Sequence, residues 1–301
     1  SFGRSLVSGD FNADGKTDLA VGAYGYSTNT GRAYLFYNGS IITENASGAD
    51  IIITGETTGD VFGTSLASGD WNADGKTDLA VGAYQYSTNT GRAYLFYSGS
   101  IITENASGAD VIISGEASSW FGYSLTPGDF NADGRTDLAV GAYGYSSSTG
   151  RVYLFYNGSI ITENASGADV IITGETTSNL FGTSLTSGDF NADGKTDLAI
   201  GAYGYSTNTG RAYLFYNDGS IPTTATTADV IITGEATSNY FGYSLASGDW
   251  NADGKTDLVV GAYGYSSFTG RVYIFITEAK SEEALLQFQS IGATNIIGNL
   301  E

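Results

Sequence analysis

A unit of about sixty residues repeats five times along the chain and limits the folds available to it. The unit starts lie 60, 59, 60 and 60 residues apart. Each unit holds, in order, FGxSL, GD(F/W)NADG(K/R)TDL, GAYxYS, TGR(A/V)Y(L/I)F, a variable loop and a run such as ADVIITGE. Such a period indicates that one supersecondary unit is copied and stacked. The units start at Phe2, Phe62, Phe121, Phe181 and Phe241.

Each unit is predicted to form four short strands, which in the first unit are residues 2–7, 18–24, 32–37 and 50–54. The second run is apolar or small on both alternating faces, as in a strand packed between neighbouring sheets. Gly-, Asn- and Ser-rich turns separate the runs. The prediction is an all-β fold, a five-bladed β-propeller of four-stranded antiparallel blades. An open solenoid is the alternative, but it needs polar capping units and the first unit shows none.

The C-terminal tail departs from the repeat. We assign residues 1–276 to the propeller and 277–301 to a tail of one helix and one strand that closes or assembles the fold. The helix is expected over residues 281–289, because Ser281 can act as N-cap and acidic residues follow it. Residues 293–301 loosely match the last run of the other units and are predicted as the fourth strand of unit five. An interdomain linker is the alternative.

Composition narrows the function. The chain has no Cys and no His, which removes disulfides, thiol chemistry and the commonest general base. Its formal charge of −20 repels phosphate backbones, so nucleic acid is not expected as a partner. No stretch approaches the roughly 20 apolar residues of a membrane span. The chain lacks Met and begins at Ser1, so a mature or trimmed product is expected.

The strongest chemical signal is a nine-residue loop, D-x-N-x-D-G-x-x-D, present in every unit. Side-chain oxygens at positions one, three and five can converge when the chain turns tightly at the Gly of position six. The carbonyl of position seven and the Asp of position nine can complete an oxygen cage, which suits calcium better than magnesium. The predicted metal-binding residues are Asp10, Asn12, Asp14, Lys16, Asp18, Asp70, Asn72, Asp74, Lys76, Asp78, Asp129, Asn131, Asp133, Arg135, Asp137, Asp189, Asn191, Asp193, Lys195, Asp197, Asp249, Asn251, Asp253, Lys255 and Asp257.

A plain Asx-rich turn is the alternative reading of a single loop, since Asp, Asn and Gly are ordinary turn residues. Five intact copies favour the cation site. These loops hold 15 of the 32 acidic residues, and clustering carboxylates without a cation is costly. We therefore expect about five calcium ions per chain and no other cofactor.

Phe-Gly followed by Gly-Ala-Tyr, with the acidic loop between them, resembles the FG-GAP repeat of integrin α-subunit propellers and related surface proteins. The resemblance covers essentially residues 1–275. It implies a propeller whose loops bind calcium at positions one, three, five, seven and nine, and it implies an extracellular or cell-surface location. Two departures stand out: Tyr replaces the Pro of the GAP element, and integrin propellers have seven blades.

Other repeated residues have two possible roles each, one structural and one in binding. The Arg after each Thr-Gly is predicted to pair with a nearby carboxylate or a neighbouring blade, or else to contact anions or sugars. Tyr24, Tyr26 and their equivalents either pack between blades or offer a stacking surface for sugars. The Asn-x-Ser sequons lie in the variable loop or just before it, where glycans are possible. The basic residues are Arg32, Arg92, Arg151, Arg211 and Arg271, and the sequons are Asn38, Asn45, Asn105, Asn157 and Asn164.

The function expected from these features is a calcium-stabilised extracellular module for adhesion or assembly, which binds another protein or itself through near-identical blades. A multivalent lectin-like propeller that binds glycans is the alternative. An enzyme is not expected. Paired acids can hydrolyse glycosides, but nearly half of the acids belong to cation loops and no unit holds a unique polar cluster.

Overall fold

The computed structural model describes residues 1–38 and 45–277, together with the backbone of Leu286–Ser290. Within this part of the chain the fold is built from short strands. In chain order they are β1 (Ser5–Gly9), β2 (Asp18–Gly22), β3 (Arg32–Phe36), β4 (Ile51–Thr54), β5 (Leu66–Gly69), β6 (Asp78–Ala83), β7 (Arg92–Phe96), β8 (Glu104–Asn105), β9 (Val111–Ser114), β10 (Ser124–Gly128), β11 (Asp137–Ala142), β12 (Arg151–Phe155), β13 (Glu163–Asn164), β14 (Val170–Thr173), β15 (Ser184–Gly188), β16 (Asp197–Ala202), β17 (Arg211–Phe215), β18 (Val230–Thr233), β19 (Phe241–Gly248), β20 (Asp257–Ala262), β21 (Arg271–Thr277) and β22 (Leu286–Ser290).

These strands form five sheets, one for each sequence repeat, which we call blades one to five. The strand orders are β1-β2-β3-β4-β8, β5-β6-β7-β9-β13, β10-β11-β12-β14, β15-β16-β17-β18 and β19-β20-β21-β22. Successive strands of a blade pair antiparallel, whereas β8 adds in parallel to β4 and β13 to β9. The all-β prediction of five propeller-type, four-stranded antiparallel blades is confirmed.

The second strand of blades two, three and four is buried on both faces, as its composition predicts, whereas β2 and β20 contain partly exposed residues. All six residues of β6, β11 and β16 are buried, and after the first Asp each strand contains only Leu, Ala, Gly and a Val or Ile. For β6 the packing partners are the neighbouring blades one and three, which form an apolar core on each of its faces.

The chain divides into two compact units. Unit 1 comprises residues 1–127, 135–145 and 153–171, and unit 2 comprises residues 128–134, 146–152 and 172–301. In unit 1 the facing surfaces of blades one and two form one apolar core, and those of blades two and three form another. In unit 2 the facing surfaces of blades four and five form a core of the same kind.

Short turns complete each blade. A single 3₁₀ turn precedes the fourth strand at Ala46–Gly48, Ala106–Gly108, Ala165–Gly167 and Ala225–Thr227. Between the second and third strands lie helical turns in which two central residues have φ between 46° and 58°, so none continues as a helix. These turns are Tyr86–Asn89, Tyr145–Ser148, Tyr205–Asn208 and Tyr265–Phe268.

The tail prediction needs a correction. Residues 286–289 belong to β22 and not to the predicted helix over 281–289, and β22 pairs antiparallel with β21 in the register Tyr273 to Ser290 and Thr277 to Leu286. The N-cap signal at Ser281 is local, whereas β21 would otherwise leave a row of unpaired backbone groups, and such tertiary demands override helix propensity. Residues 281–285 and the strand predicted over 293–301 lie outside the described residues.

Candidate cation-binding loops

Each carboxylate loop joins the first and second strands of its blade. Gly9 of β1 pairs with Asp18 of β2, and in the fourth blade Gly188 pairs with Asp197 in the same way. The loop is therefore a hairpin connection whose two ends are held by strand pairing. Because every blade places the nine residues in this position, the loops have the same local environment at the start of each second strand.

The side-chain oxygens at positions one and three of the loop accept the same backbone N–H group. In the fourth blade the backbone N–H of Asp193 donates to Oδ1 of Asp189 at 3.0 Å and to Oδ1 of Asn191 at 2.9 Å. The N–H of Gly194 donates to the other oxygen of Asp189 at 2.8 Å. The same three bonds recur in the other four loops at 2.8–3.0 Å. The oxygens of positions one and three therefore both accept the backbone N–H of position five.

The loop backbone is held in an uncommon conformation. The Ala at position four has φ between 56° and 59° in all five loops, a region that residues with a Cβ adopt infrequently. At position six Gly194 has φ +87° and open space where a Cβ would lie, so glycine is used there for its backbone freedom. The hydrogen bonds to positions one and three offset the cost of this turn.

Position five makes its contacts with position seven. Oδ1 of Asp14 accepts the backbone N–H of Lys16 at 2.9 Å, and Nζ of Lys16 lies 3.7 Å from Oδ2 of the same carboxylate. Lys76 and Lys255 repeat this ion pair at 3.9 and 3.6 Å. These side chains are between 23% and 59% exposed, so solvent screens each ion pair and it contributes little to stability.

The Asp at position nine is buried and has both oxygens engaged. Oδ2 of Asp78 accepts the N–H of Trp71 at 2.9 Å, and Oδ1 accepts the N–H of Ser98 at 2.8 Å. Burial raises the pKa of Asp78 to about 6, and the nearby carboxylates of Asp74 and Asp70 raise it as well, against the two hydrogen bonds.

The equivalent Asp197 has the same surroundings. It accepts backbone N–H groups from Phe190 at 2.9 Å and Asn217 at 2.8 Å, and burial raises its pKa to about 7. Position nine is therefore a backbone acceptor that links the loop to the end of the third strand. The sequence pattern alone predicts only the role of position nine as a cation ligand.

The oxygen atoms of the loop are chemically suited to bind a hard cation. Carboxylate, amide and backbone oxygens are the ligands that calcium prefers, and the loop presents no nitrogen or sulfur ligand. A carboxylate oxygen can accept more than one bond, so the hydrogen bonds at positions one, five and nine leave lone pairs for a cation. Among the residues that the structure describes, however, no three acidic side chains come together as a metal site would require. The full set of five ligand positions remains a prediction.

The loops of blades one to four are also tied to the following blade. In unit 1, Nδ2 of Asn157 in blade three donates to the carbonyl of Asp70 at 2.9 Å, and Oγ of Ser98 in blade two donates to that of Phe11 at 3.2 Å. In unit 2, Nδ2 of Asn217 donates to the carbonyl of Asp129 at 3.1 Å, and Oγ1 of Thr277 donates to that of Phe190 at 3.2 Å. The loops therefore lie at the junctions between blades.

The aromatic residue at position two anchors the same junctions. Trp71 is 2% exposed, packs in the core between blades two and three, and donates its indole N–H to the carbonyl of Asp137 at 3.2 Å. Phe11 and Phe190 are buried in the corresponding cores of blades one and two and of blades four and five. A cation that fixes the loop would also fix this anchor.

A second set of cross-blade contacts lies at the repeated arginines. Nη1 of Arg211 in blade four is 2.7 Å from Oε1 of Glu175, which also accepts the hydroxyl of Tyr213 at 3.1 Å. The guanidinium lies 3.6 Å from the ring centre of Tyr205. Arg92 and Arg271 repeat the ion pair with Glu56 and Glu235.

These contacts support the prediction that the arginines pair with a carboxylate of a neighbouring blade. Their tyrosine neighbours pack against the guanidinium groups. Sequence reasoning missed the glutamates. Their signal was the Gly-Glu pair that follows the fourth strand in units one to four.

A family comparison agrees with this architecture. The model described as "FG-GAP repeat" matches more than half of the chain, at residues 2–36, 62–96, 121–155, 181–215 and 241–275. The chain belongs to the FG-GAP repeat family. The predicted family and its five repeats are thereby confirmed.

Full-length relatives extend far beyond the matched region. Integrin alpha-PS2 of Drosophila melanogaster is 36% identical over 220 residues, which cover 67% of this FG-GAP chain and 15% of the integrin. The phosphatidylinositol-glycan-specific phospholipase D of Bos taurus is 32% identical over 237 residues, covering 71% and 28%. The chain thus spans less than a third of either relative.

A solved structure also aligns with the FG-GAP chain. The crystal structure of the V. cholerae biofilm matrix protein Bap1 gives a TM-score of 0.46 at 15% identity, over 90% of this chain and 36% of that one. In the part of the chain that the structure describes, no helix has the length and apolarity needed to cross a membrane.

The sequons of the FG-GAP chain differ in accessibility. Asn157 is 7% exposed and its amide donates to Asp70 and to Thr136, so the expectation of an exposed acceptor is wrong there. Asn45, Asn105 and Asn164 are exposed beside the 3₁₀ turns. They remain available for modification.

Proposed function

We propose that this FG-GAP chain is a calcium-stabilised extracellular module that mediates adhesion or assembly and is not an enzyme. The observation that carries the proposal is the position of the carboxylate loops. Each loop of blades one to four has its backbone tied to the following blade, and each presents the convergent oxygens of positions one and three. A cation held there would act on the junctions of the fold.

Calcium would be held by the side chains of positions one, three, five and nine and by the carbonyl of position seven. It would supply positive charge against carboxylates that otherwise repel one another. The raised pKa of Asp78 and Asp197 reflects burial together with such neighbouring carboxylates. Neutralising that repulsion favours the folded chain and stiffens the blade junctions, which suits a load-bearing or scaffold role.

An extracellular location follows from the expected affinity. Calcium sites in extracellular modules bind at roughly 10⁻⁴–10⁻³ M, and such sites fill outside cells and stay empty in the cytosol. The net charge of −20 also keeps the chain away from nucleic acid and disfavours nonspecific association.

The non-enzymatic part of the proposal rests on repetition. The chemically distinctive groups of the described residues recur from blade to blade and are engaged in loop and cross-blade hydrogen bonds. The name of the bovine relative describes an activity of that whole protein, and the matched region is 28% of it.

A glycan-binding function is the second candidate, favoured by one feature of unit 2. Tyr263 and Phe268 are 41% and 68% exposed, and Tyr240 stacks on Tyr263 at 4.7 Å. Exposed rings of this kind can stack on sugars. Binding on a glycan array that is lost in Phe268→Ala, with unchanged melting, would support this candidate over the first.

The decisive test of the proposed function is a calcium titration of the intact chain. Isothermal titration and thermal melting after EDTA treatment should give dissociation constants of about 10⁻⁴–10⁻³ M and a midpoint that rises with calcium. A midpoint unaffected by millimolar calcium would refute the calcium role. Affinity tight enough to fill the sites at cytosolic calcium would contradict the argument for location.

A further inference from the structure

The readily oxidised side chains of this protein are all aromatic. The chain has 22 Tyr and 3 Trp but no Cys, no Met and no His. Thiols and thioethers are the side chains that common oxidants attack most readily, and both are missing. A one-electron oxidant that meets this chain therefore reacts with phenol and indole rings, and the arrangement of those rings decides the product.

In unit 1 four such rings follow one another in contact. The ring centre of Tyr123 lies 4.4 Å from that of Tyr143 and 5.1 Å from that of Tyr84, with interplanar angles of 74° and 77°. The ring of Trp120 lies 4.6 Å from that of Tyr143. All four side chains are partly exposed, so a small oxidant reaches them from solvent. Because the rings are in contact, an electron vacancy formed on one of them passes readily to its neighbours.

Tyr123 and Tyr143 lie at the same end of the hairpin that carries the carboxylate loop of blade three. Tyr123 precedes β10 and Tyr143 follows β11. The backbone N–H of Tyr123 donates to the carbonyl of Gly141 at 3.3 Å. Strand pairing thus holds the two backbone segments side by side, and the side-chain torsions are the main freedom left to the two rings.

The same pair recurs in blade five of unit 2. The ring centres of Tyr243 and Tyr263 are 4.4 Å apart, and the ring of Tyr203 lies 5.2 Å from that of Tyr243. In blades two and four the residue after Phe-Gly is Thr64 or Thr183, so the hairpins of these blades lack the pair.

Other repeated tyrosines have different neighbours. Tyr213 is fully buried, and its ring lies 5.3 Å from that of Phe181, which is not a phenol. Tyr205 lies 3.6 Å from the guanidinium of Arg211. Neither of these contacts places two phenols side by side, so geometry and not residue type distinguishes the pairs of blades three and five.

We propose that Tyr123 and Tyr143 form an oxidative dityrosine cross-link, and that Tyr243 and Tyr263 form its counterpart in unit 2. Their ring-centre separation of 4.4 Å is close to that of two directly bonded phenyl rings, so coupling needs rotation of the rings and little movement of the strands. This modification is independent of the proposed calcium role, and it adds a covalent tie to a chain that has no disulfide.

The oxidant class is hydrogen peroxide acting through a haem peroxidase. Each phenol gives up one electron and its hydroxyl proton, and one molecule of hydrogen peroxide accepts both electrons and both protons to give two molecules of water. The two phenoxyl radicals then form one carbon–carbon bond between ring carbons next to the oxygens. Each of these carbons releases its proton while each oxygen regains one, so both phenols are restored. The product has two hydrogens fewer than the two tyrosines.

The cross-link would tie together the two ends of the segment that contains the carboxylate loop of residues 129–137. A covalent bond between residues 123 and 143 removes conformations from the unfolded chain, as a disulfide does. The oxidised chain should therefore melt at a higher temperature than the untreated chain.

Peptide mapping after oxidation tests the proposal. The chain is treated at low concentration with horseradish peroxidase and hydrogen peroxide and is then digested with trypsin, which places Tyr123 and Tyr143 in peptides 93–135 and 136–151. These peptides should appear as one linked species, two hydrogens lighter than their sum, with the blue fluorescence of dityrosine. Peptides 212–255 and 256–271 should be linked in the same way.

Conservative variants locate the bond. Tyr123→Phe and Tyr143→Phe keep the ring and remove the phenol, so each should abolish the link between peptides 93–135 and 136–151. The link of unit 2 should remain in both variants and shows that oxidation took place. Tyr145→Phe is the matched control, because Tyr145 is partly exposed and belongs to the same tryptic peptide as Tyr143, and it should retain both links.

Three results would overturn the proposal: oxidation that leaves the two peptides unlinked, a link that survives in Tyr123→Phe, or a bond that joins Tyr123 to Tyr84. An equimolar mixture with heavy-isotope-labelled chain adds a fourth, since linked peptides that carry both labels would place the bond between copies. The calcium dependence of melting is measured on the unoxidised chain, so the proposed function stands or fails separately.

Discussion

Oδ2 of Asp197 accepts the backbone N–H of Phe190 at 2.9 Å, which ties the end of the carboxylate loop to its second residue. The other oxygen accepts the N–H of Asn217, beyond the third strand. One buried carboxylate thus connects three segments of its blade. This arrangement gives position nine a structural role that is separable from cation binding, and the separation can be measured.

The first prediction concerns Asp197→Asn. The new amide nitrogen cannot accept one of the two N–H groups, so a buried donor loses its partner and the free energy of unfolding should fall by about 1–3 kcal/mol. The loss should persist in EDTA, because it does not depend on a cation. Denaturant unfolding measures it, and Asp218→Asn on the exposed surface is the control. A loss confined to calcium-containing buffer would show that the residue acts only as a ligand.

The second prediction concerns stoichiometry. Metal analysis of the intact chain should give close to five calcium ions, since the loop hydrogen bonds are the same in all five blades. Replacing Asp14, Asp74, Asp133, Asp193 or Asp253 by Ala should remove about one ion each. Thr17→Ala, which leaves all predicted ligands in place, is the matched control. A count of one or two ions would mean that most loops are Asx turns.

The third prediction concerns the cross-blade glutamates. Glu175 accepts from both Arg211 and Tyr213 and its side chain is 13% exposed, so Glu175→Gln should lower the free energy of unfolding by about 1–3 kcal/mol. Glu235→Gln is the comparison, because that side chain is 36% exposed and its ion pair is better screened. Equal losses in the two variants would argue against burial as the cause.

The fourth prediction is a loss of stability at alkaline pH. Burial, together with the Glu175 carboxylate, raises the pKa of Tyr213, and burial raises that of Tyr273 to about 12. The folded state therefore favours the neutral phenol. The stabilisation is complete below pH 10, the usual tyrosine pKa, and is lost as the pH rises from there toward the folded value. Each buried phenol lowers the free energy of unfolding by about 1.4 kcal/mol per pH unit in that window.

Urea unfolding at pH 9 and pH 11 measures this effect. Tyr213→Phe removes one titrating group, so its stability should fall by about 1.4 kcal/mol less than that of the wild type between the two values. Tyr26→Phe, at a partly exposed position beneath Arg32, is the control. An identical fall in Tyr213→Phe and the wild type would exclude Tyr213 as a source of the pH dependence.

Most of the fold could be predicted from the sequence because the same sixty-residue sequence pattern occurs five times. Turn residues at fixed offsets and apolar runs buried on both faces leave few alternatives to stacked four-stranded blades. The structural role of Asp197 could not be predicted from the sequence. An Asp can serve either as a cation ligand or as an acceptor of backbone N–H groups, and the residue type does not distinguish the two roles. The partners of Glu56 are Arg92 and Tyr94 of the next blade, so they depend on how the blades pack and could not be predicted from the local sequence.

The helix prediction for the C-terminal tail was wrong over residues 286–289 for a different reason. Its acidic residues after Ser281 are a genuine local helix signal, and local propensity is a weak prior against sheet pairing. The unpaired edge of β21 decides the structure of residues 286–290, and no local pattern records that edge. The repeat did indicate that blade five needs a fourth strand, but it placed that strand seven residues too late in the chain.

The last prediction uses this edge. Deleting residues 286–301 removes β22 and leaves the backbone groups of Arg271–Thr277 unpaired along one side, and an exposed edge pairs with other chains. The truncated chain should aggregate on warming and bind thioflavin T. Deleting only residues 291–301 keeps β22 and should leave solubility unchanged. A longer deletion that stays soluble and melts like the shorter one would show that β22 does not protect the edge.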